Sequence, residues 1–153
     1  MKYLKKFESL EDNSEFKTDD SLLTGSYEEA QVTDLLGKRI YDIKYSDYEM
    51  LFVVSTDNDE ERYVFFHDQD CCESCWLEDI IGDLDDLIGP PILKAEVKTN
   101  YNEGDKPKKG SVDDSFTWTF YTFATIKGYV DLRFFGTSNG YYSEEFKFVK
   151  LLD

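Results

Sequence analysis

The chain has 153 residues, enough for one domain with a full core, and 41% of them are apolar, which excludes a disordered chain. Asp and Glu number 33 against 17 Lys and Arg, a formal net charge of −16 at pH 7. A surface of that sign repels phosphate backbones and anionic bilayers, so direct nucleic-acid or membrane binding is disfavoured and basic protein surfaces or cations are favoured.

Along the chain, residues 1–31 are polar and turn-like, as in Asp12-Asn13-Ser14 and Asp19-Asp20-Ser21. They are expected to form an extension that wraps the domain or stays mobile, leaving residues 32–153 as a single domain. Lys2, Lys5 and Lys6 are not followed by a hydrophobic stretch, so no secretory leader is expected, and no apolar run is long enough to span a bilayer. A short helix is expected over residues 27–36, stopped by Gly37. Residues 39–44 alternate in polarity, residues 48–55 are rich in apolar side chains, and residues 61–67 complete a β-meander, with a turn at Asp57-Asn58-Asp59.

Between residues 68 and 89 the apolar positions are Trp76, Leu77, Ile80, Ile81, Leu84, Leu87 and Ile88. That spacing predicts short helical pieces, interrupted at Gly82, with Asp83 as a cap and Gly89-Pro90-Pro91 as the stop. Residues 92–99 read as a strand and residues 100–114 as a long polar loop. Residues 115–125 and 129–135 alternate and are joined by a turn at Lys127-Gly128. Asn139-Gly140 predicts a further hairpin into a last strand over residues 141–151. With 12 Phe and 11 Tyr favouring strands, the expected fold is α+β. It is a mostly antiparallel, curved sheet of about six or seven strands with short helices on one face.

Three features carry candidate chemistry. The first is the corner His67, Asp68, Asp70, Cys71, Cys72 and Glu73, which gathers an imidazole, carboxylates and thiols at a strand end. It is read as a structural corner of capping carboxylates and small buried cysteines, with two functional alternatives. One is zinc held by His67, Cys72 and Cys75, with Cys71 and the carboxylates of Asp68 and Asp70 as further donors, although this spacing is unlike established zinc modules. The other is a Cys71 or Cys72 nucleophile with His67 as base, against which the acidic surroundings raise a thiol pKa. The clustered, odd set of three cysteines is no secreted disulfide framework and points to a reducing, intracellular setting. The second feature is an acidic stretch, Glu78, Asp79, Asp83, Asp85 and Asp86, set between apolar positions and expected to face water, either as a solvated helix face or as a binding surface that imitates nucleic-acid phosphate or docks on a basic groove. The third is the loop with Ser138, Asn139, Tyr141 and Tyr142, which is read as a turn flanked by strand aromatics or as a small-ligand site.

The strings His67-Asp68-Gln69-Asp70-Cys71-Cys72-Glu73, Trp76-Leu77-Glu78-Asp79-Ile80, Gly82-Asp83-Leu84 and Asp86-Leu87-Ile88-Gly89 form one block. Ser115-Phe116-Thr117-Trp118-Thr119-Phe120-Tyr121, Phe123-Ala124-Thr125, Lys127-Gly128 and Gly136-Thr137-Ser138-Asn139-Gly140-Tyr141-Tyr142-Ser143-Glu144 form another. Over residues 33–150 the chain resembles a small family of uncharacterised proteins found mostly in bacteriophages and related mobile elements. The resemblance implies a host bacterial cytoplasm and no particular activity. The family pattern has the Cys71-Cys72 pair and usually no cysteine at position 75, which counts against a three-cysteine metal site.

The functional expectation is a non-enzymatic accessory protein. It would bind a host or phage protein with a basic surface, such as a host defence or nucleic-acid-handling protein. A small-molecule or nucleotide-signal binder, a virion-associated structural protein and an enzyme using His67 with Asp70 or Cys72 are the alternatives.

Overall fold

A computed structural model describes residues 10–152. Nine strands form two antiparallel sheets: β1 (Ser26–Glu29), β2 (Arg39–Tyr45), β3 (Met50–Ser55), β4 (Glu60–Phe66), β5 (Ser74–Ile81), β6 (Lys94–Tyr101), β7 (Ser115–Thr125), β8 (Gly128–Ser138) and β9 (Lys147–Leu152). The five-stranded sheet runs β1-β9-β4-β3-β2 and the four-stranded sheet β5-β8-β7-β6. The two pack face to face as a sandwich. Their shared core is aromatic: Phe52 meets Phe123 at 5.3 Å between ring centroids, and Phe65 meets Tyr121 at 4.8 Å and Phe134 at 6.2 Å.

The expected α+β fold with helices on one face is therefore corrected. Among the described residues the helical segments are 3-10 only, at Leu10–Phe16, Val32–Leu35 and Leu84–Leu87. The helical pieces expected after residue 68 are replaced by strand β5 and the last of these turns. The cause of the misreading is a β-bulge. The register of β5 on β8 shifts between Leu77 and Asp79, so Leu77 and Ile80 both reach the core. A regular strand would put residues three apart on opposite faces, and the bulge thus imitates helical spacing. A second bulge between Ile40 and Asp42 does the same for Ile40 and Ile43 in β2. The helix expected at residues 27–36 is β1 followed by the turn Val32–Leu35, which sends Val32 and Leu35 into the core.

The β2-β3-β4 meander and the β7-β8 hairpin form as expected. Asn139-Gly140 does not join paired strands: β8 and β9 belong to different sheets, and the segment between them crosses from one to the other. From residue 10 the N-terminal extension is woven into the sandwich; residues 1–9 lie outside the described residues. Asn13 is buried, donates Nδ2 to the Gly82 carbonyl at 3.1 Å and accepts the Leu84 amide on Oδ1 at 2.9 Å. It thereby pins the turn after β5. Leu23 packs on Val64, Phe66, Val149 and Leu151, on the outer face of the five-stranded sheet.

Candidate functional site

Two sheet-crossing connections meet at one end of the sandwich. Phe66 of β4 pairs with Lys147 of β9, and Ser74 of β5 pairs with Thr137 of β8. The β4–β5 segment, which begins with His67, and the β8–β9 segment, which follows Ser138, must therefore pass side by side. The corner and the loop singled out in the sequence lie next to each other.

His67 ties the two segments together. Its Nδ1 lies 2.7 Å from the Glu145 carbonyl oxygen and its Nε2 lies 2.7 Å from Glu73 Oε2. The ring thus bridges an oxygen of each segment. Glu73 is buried and also accepts the amides of Asp70 and Cys71, each at 2.9 Å. Burial by itself would raise the Glu73 carboxyl, but these amides and the His67 ring outweigh it and hold it at about 2.

A second buried carboxylate, Glu144, accepts the hydroxyls of Thr117 at 2.8 Å, Ser115 at 3.3 Å and Ser138. Beneath it lies Gly136 of β8. A Cβ there would collide with the Glu144 carbonyl and stand 2.9 Å from Cys75 Sγ, so glycine lets the loop rest directly on the strand. Burial, then the nearby Glu73 and Glu144 charges, push the Cys75 thiol up to about 12.

The zinc set is not assembled. Cys72 is joined to Cys71 in a disulfide, the His67 nitrogens face Glu145 and Glu73, and Cys75 is buried. Among the described residues no group of His, Cys, Asp and Glu is arranged to hold a metal ion. The pairing of His67 with Asp70 or Cys72 is not made either, since the ring is committed to Glu73. Cys71 and Cys72 are exposed rather than filling core space.

What faces solvent here is acidic and aromatic. Asp68, Asp70 and Glu145 are exposed beside a hollow of about 470 Å³ that His67, Phe146 and Lys147 also line. Asp68 is paired with Lys147 at 3.3 Å, a surface bridge of small energetic weight. A smaller hollow of about 280 Å³ adjoins it through Ser143 and Glu145 and is lined by Tyr101, Tyr141 and Tyr142. Tyr141 is 83% exposed and stands edge-on to Tyr142 at 5.0 Å. The Tyr101 hydroxyl donates to Glu145 Oε1 at 2.7 Å. Of the loop residues named from sequence, Ser138 is buried and Asn139 is exposed, where its Oδ1 accepts the Tyr141 amide at 3.0 Å.

A profile described as Domain of unknown function (DUF7448) matches residues 33–148. The chain belongs to this family. The match runs from the turn Val32–Leu35 into β9 and contains both sheet-crossing segments. No curated protein and no solved structure matches the chain.

The acidic stretch of the DUF7448 domain is not the solvated helix face expected from sequence. Glu78 and Asp86 are buried. Glu78 accepts Trp76 Nε1 and the Lys108 amide, both at 2.8 Å, and so fastens the 102–113 loop over β5. Asp83 accepts the Asp85 amide at 2.9 Å as the cap of Leu84–Leu87. Asp79 is half-buried, and only Asp85 of the five is exposed. Glu144 closes the stretch from Gly136 that the sequence singles out, whereas Glu145, Lys147 and Tyr101 carry no local signal, because their place at this end depends on strand pairing between distant segments.

Proposed function

We propose that this chain is a binding protein whose loop-bearing end docks on a basic surface of another protein. One observation carries the reading. The reactive groups at that end are committed to one another, while Asp68, Asp70, Glu145 and the ring of Tyr141 are turned outward. Carboxylates beside an exposed aromatic ring suit Lys and Arg side chains, by ion pairing and by cation–π contact. A net charge of −16 steers such a partner in from a distance.

The partner class this favours is a host defence or nucleic-acid-handling protein, engaged in the bacterial cytoplasm by an accessory protein of a phage or mobile element. Such a partner already offers a groove of positive potential. Among the described residues no helix is long and apolar enough to cross a membrane.

The test compares the wild-type chain with a triple variant, Asp68→Asn, Asp70→Asn and Glu145→Gln, as bait in bacterial lysate at low and moderate salt. A protein retained by the wild type at low salt, released at moderate salt and missed by the variant is the expected result. No salt-sensitive partner, or one indifferent to the three substitutions, refutes the reading.

The two adjoining hollows favour a second reading, sequestration of a small molecule, a nucleotide signal among the candidates. A ligand held there raises Tm by mass action, so a thermal-shift panel of nucleotides and metabolites separates it from protein docking.

A further inference from the structure

The sandwich has four sheet edges, and three of them are protected. Strand β1 is four residues long and carries Glu28 and Glu29. Along β2, Tyr45 bridges to Lys17, Arg39 to Pro91 and Ile40 to Ile88. Strand β5 is bulged, and its Leu77 amide is taken by the Asp47 carbonyl at 2.7 Å. Short length, charge, bulges and covering segments are the usual defences of an edge.

Strand β6 is charged, with Lys94, Glu96 and Lys98 exposed along it, but its outward row is neither short, bulged nor bonded to a covering segment. It runs for eight residues without bulge or proline and pairs on one side only, with β7. The Asn102 amide donates to the Phe116 carbonyl at 2.8 Å, just past the last β6–β7 pair, Tyr101 with Thr117. By antiparallel alternation the even-numbered residues of β6 bond to β7, and Ala95, Val97, Thr99 and Tyr101 turn their amides and carbonyls outward. Among the described residues nothing bonds to that outward row. Three exposed apolar side chains lie along the same edge: Leu93 at 65%, Val97 at 52% and Tyr101 at 59%.

We propose that β6 pairs with β6 of a second copy of this chain, antiparallel, with Val97 on the two-fold axis. The charges select that register. With the axis at Val97, Glu96 of each copy stands opposite Lys98 of the other, in a pair without backbone hydrogen bonds, where side chains approach closest. Ala95 then meets Thr99 in a hydrogen-bonded pair, and the ladder stops short of Leu93, whose amide is already donated to the Ala124 carbonyl.

Neighbouring registers fail. An axis at Glu96 sets Glu96 against Glu96 and Lys94 against Lys98, and an axis at Lys98 sets Lys98 against Lys98. An axis at Ala95 keeps opposite charges together but shortens the ladder, because Ile92 is already bonded to Gly37 and Lys38. A surface that matches itself under two-fold rotation is the signature of an isologous dimer. The four-stranded sheet becomes a continuous eight-stranded one, and the β6 edge it uses ends at Tyr101, which also lines the smaller hollow.

Sedimentation equilibrium over a concentration series is the test, at an ionic strength where repulsion between two copies is screened beyond about 8 Å. Val97→Pro removes an amide that β7 does not use and places a ring in the path of a partner strand. Glu96→Lys and Lys98→Glu each set like charges opposite one another twice per dimer. The wild type is expected to dimerise, each single change to weaken the dimer by about tenfold or more, and the double exchange Glu96→Lys with Lys98→Glu to restore it. Far-UV circular dichroism and Tm monitor folding. Should Val97→Pro fail to fold, the exposed charge exchange decides alone. A wild type that is monomeric throughout overturns the proposal. So does a dimer indifferent to the single changes, or a double exchange that stays monomeric.

Discussion

Replacing Glu73 with Gln tests the keystone of the loop-bearing end. Glu73 Oε2 accepts the Asp70 amide and His67 Nε2, and Oε1 accepts the Cys71 amide. Glutamine keeps the shape but offers one oxygen and one amino group. Its oxygen can serve the first pair of donors, which turns the amino group towards the Cys71 amide, donor against donor. One hydrogen bond to a charged group is lost in a buried place, so Glu73→Gln is expected to cost about 2–3 kcal/mol at neutral pH. For a domain of this size that is a fall in Tm of about 5–10 °C.

The pH dependence gives the sharper check. The Glu73 carboxyl is lowered from 4.5 to about 2, so its contribution is complete above the unfolded-state value and is lost as pH falls through the folded-state value. Urea unfolding of the two proteins should show a constant stability gap above about pH 5 that closes towards about pH 2. A gap below about 0.5 kcal/mol at neutral pH, or one of the same size at every pH, would refute the assignment.

Two further outcomes follow from the buried groups. Asn13→Ala leaves the Gly82 carbonyl and the Leu84 amide without their side-chain partner. Chemical denaturation should register a loss of about 2 kcal/mol, and an unchanged midpoint would mean that the N-terminal segment is not part of the folded unit. Cys75, with its thiol pushed up to about 12, should resist alkylation by iodoacetamide at mildly alkaline pH until the chain is unfolded. Rapid labelling of Cys75 in the native protein would contradict its burial.

The sequence made the β2-β3-β4 meander and the β7-β8 hairpin legible because runs of strand-favouring residues are separated by short turns and each pairing is between neighbours in the chain. Alternation fails where a bulge intervenes. Leu77 and Ile80, like Ile40 and Ile43, keep a common face only through a register shift, and local pattern cannot distinguish that from helical spacing. The corner from His67 to Glu73 was legible as a cluster of polar chemistry at a strand end. Its true partners were not: Glu145 is 78 residues from His67, and the two meet only because β4 pairs with β9. The acidic stretch misled for a related reason. Glu78 looks like any surface carboxylate until the 102–113 loop folds back and hands it the Lys108 amide.

Both tryptophans lie in one layer, outside the shared core. Trp76 donates to Glu78 and packs against Gly110, while Trp118 donates to the Asp105 carbonyl at 2.8 Å and is flanked by Phe135 and the Arg133 guanidinium. The chain holds 2 Trp in all, so its ultraviolet emission is a local gauge of the 102–113 flap and not of the sandwich interior. A fluorophore pair placed this way will register detachment of that flap even while both sheets keep their dichroism.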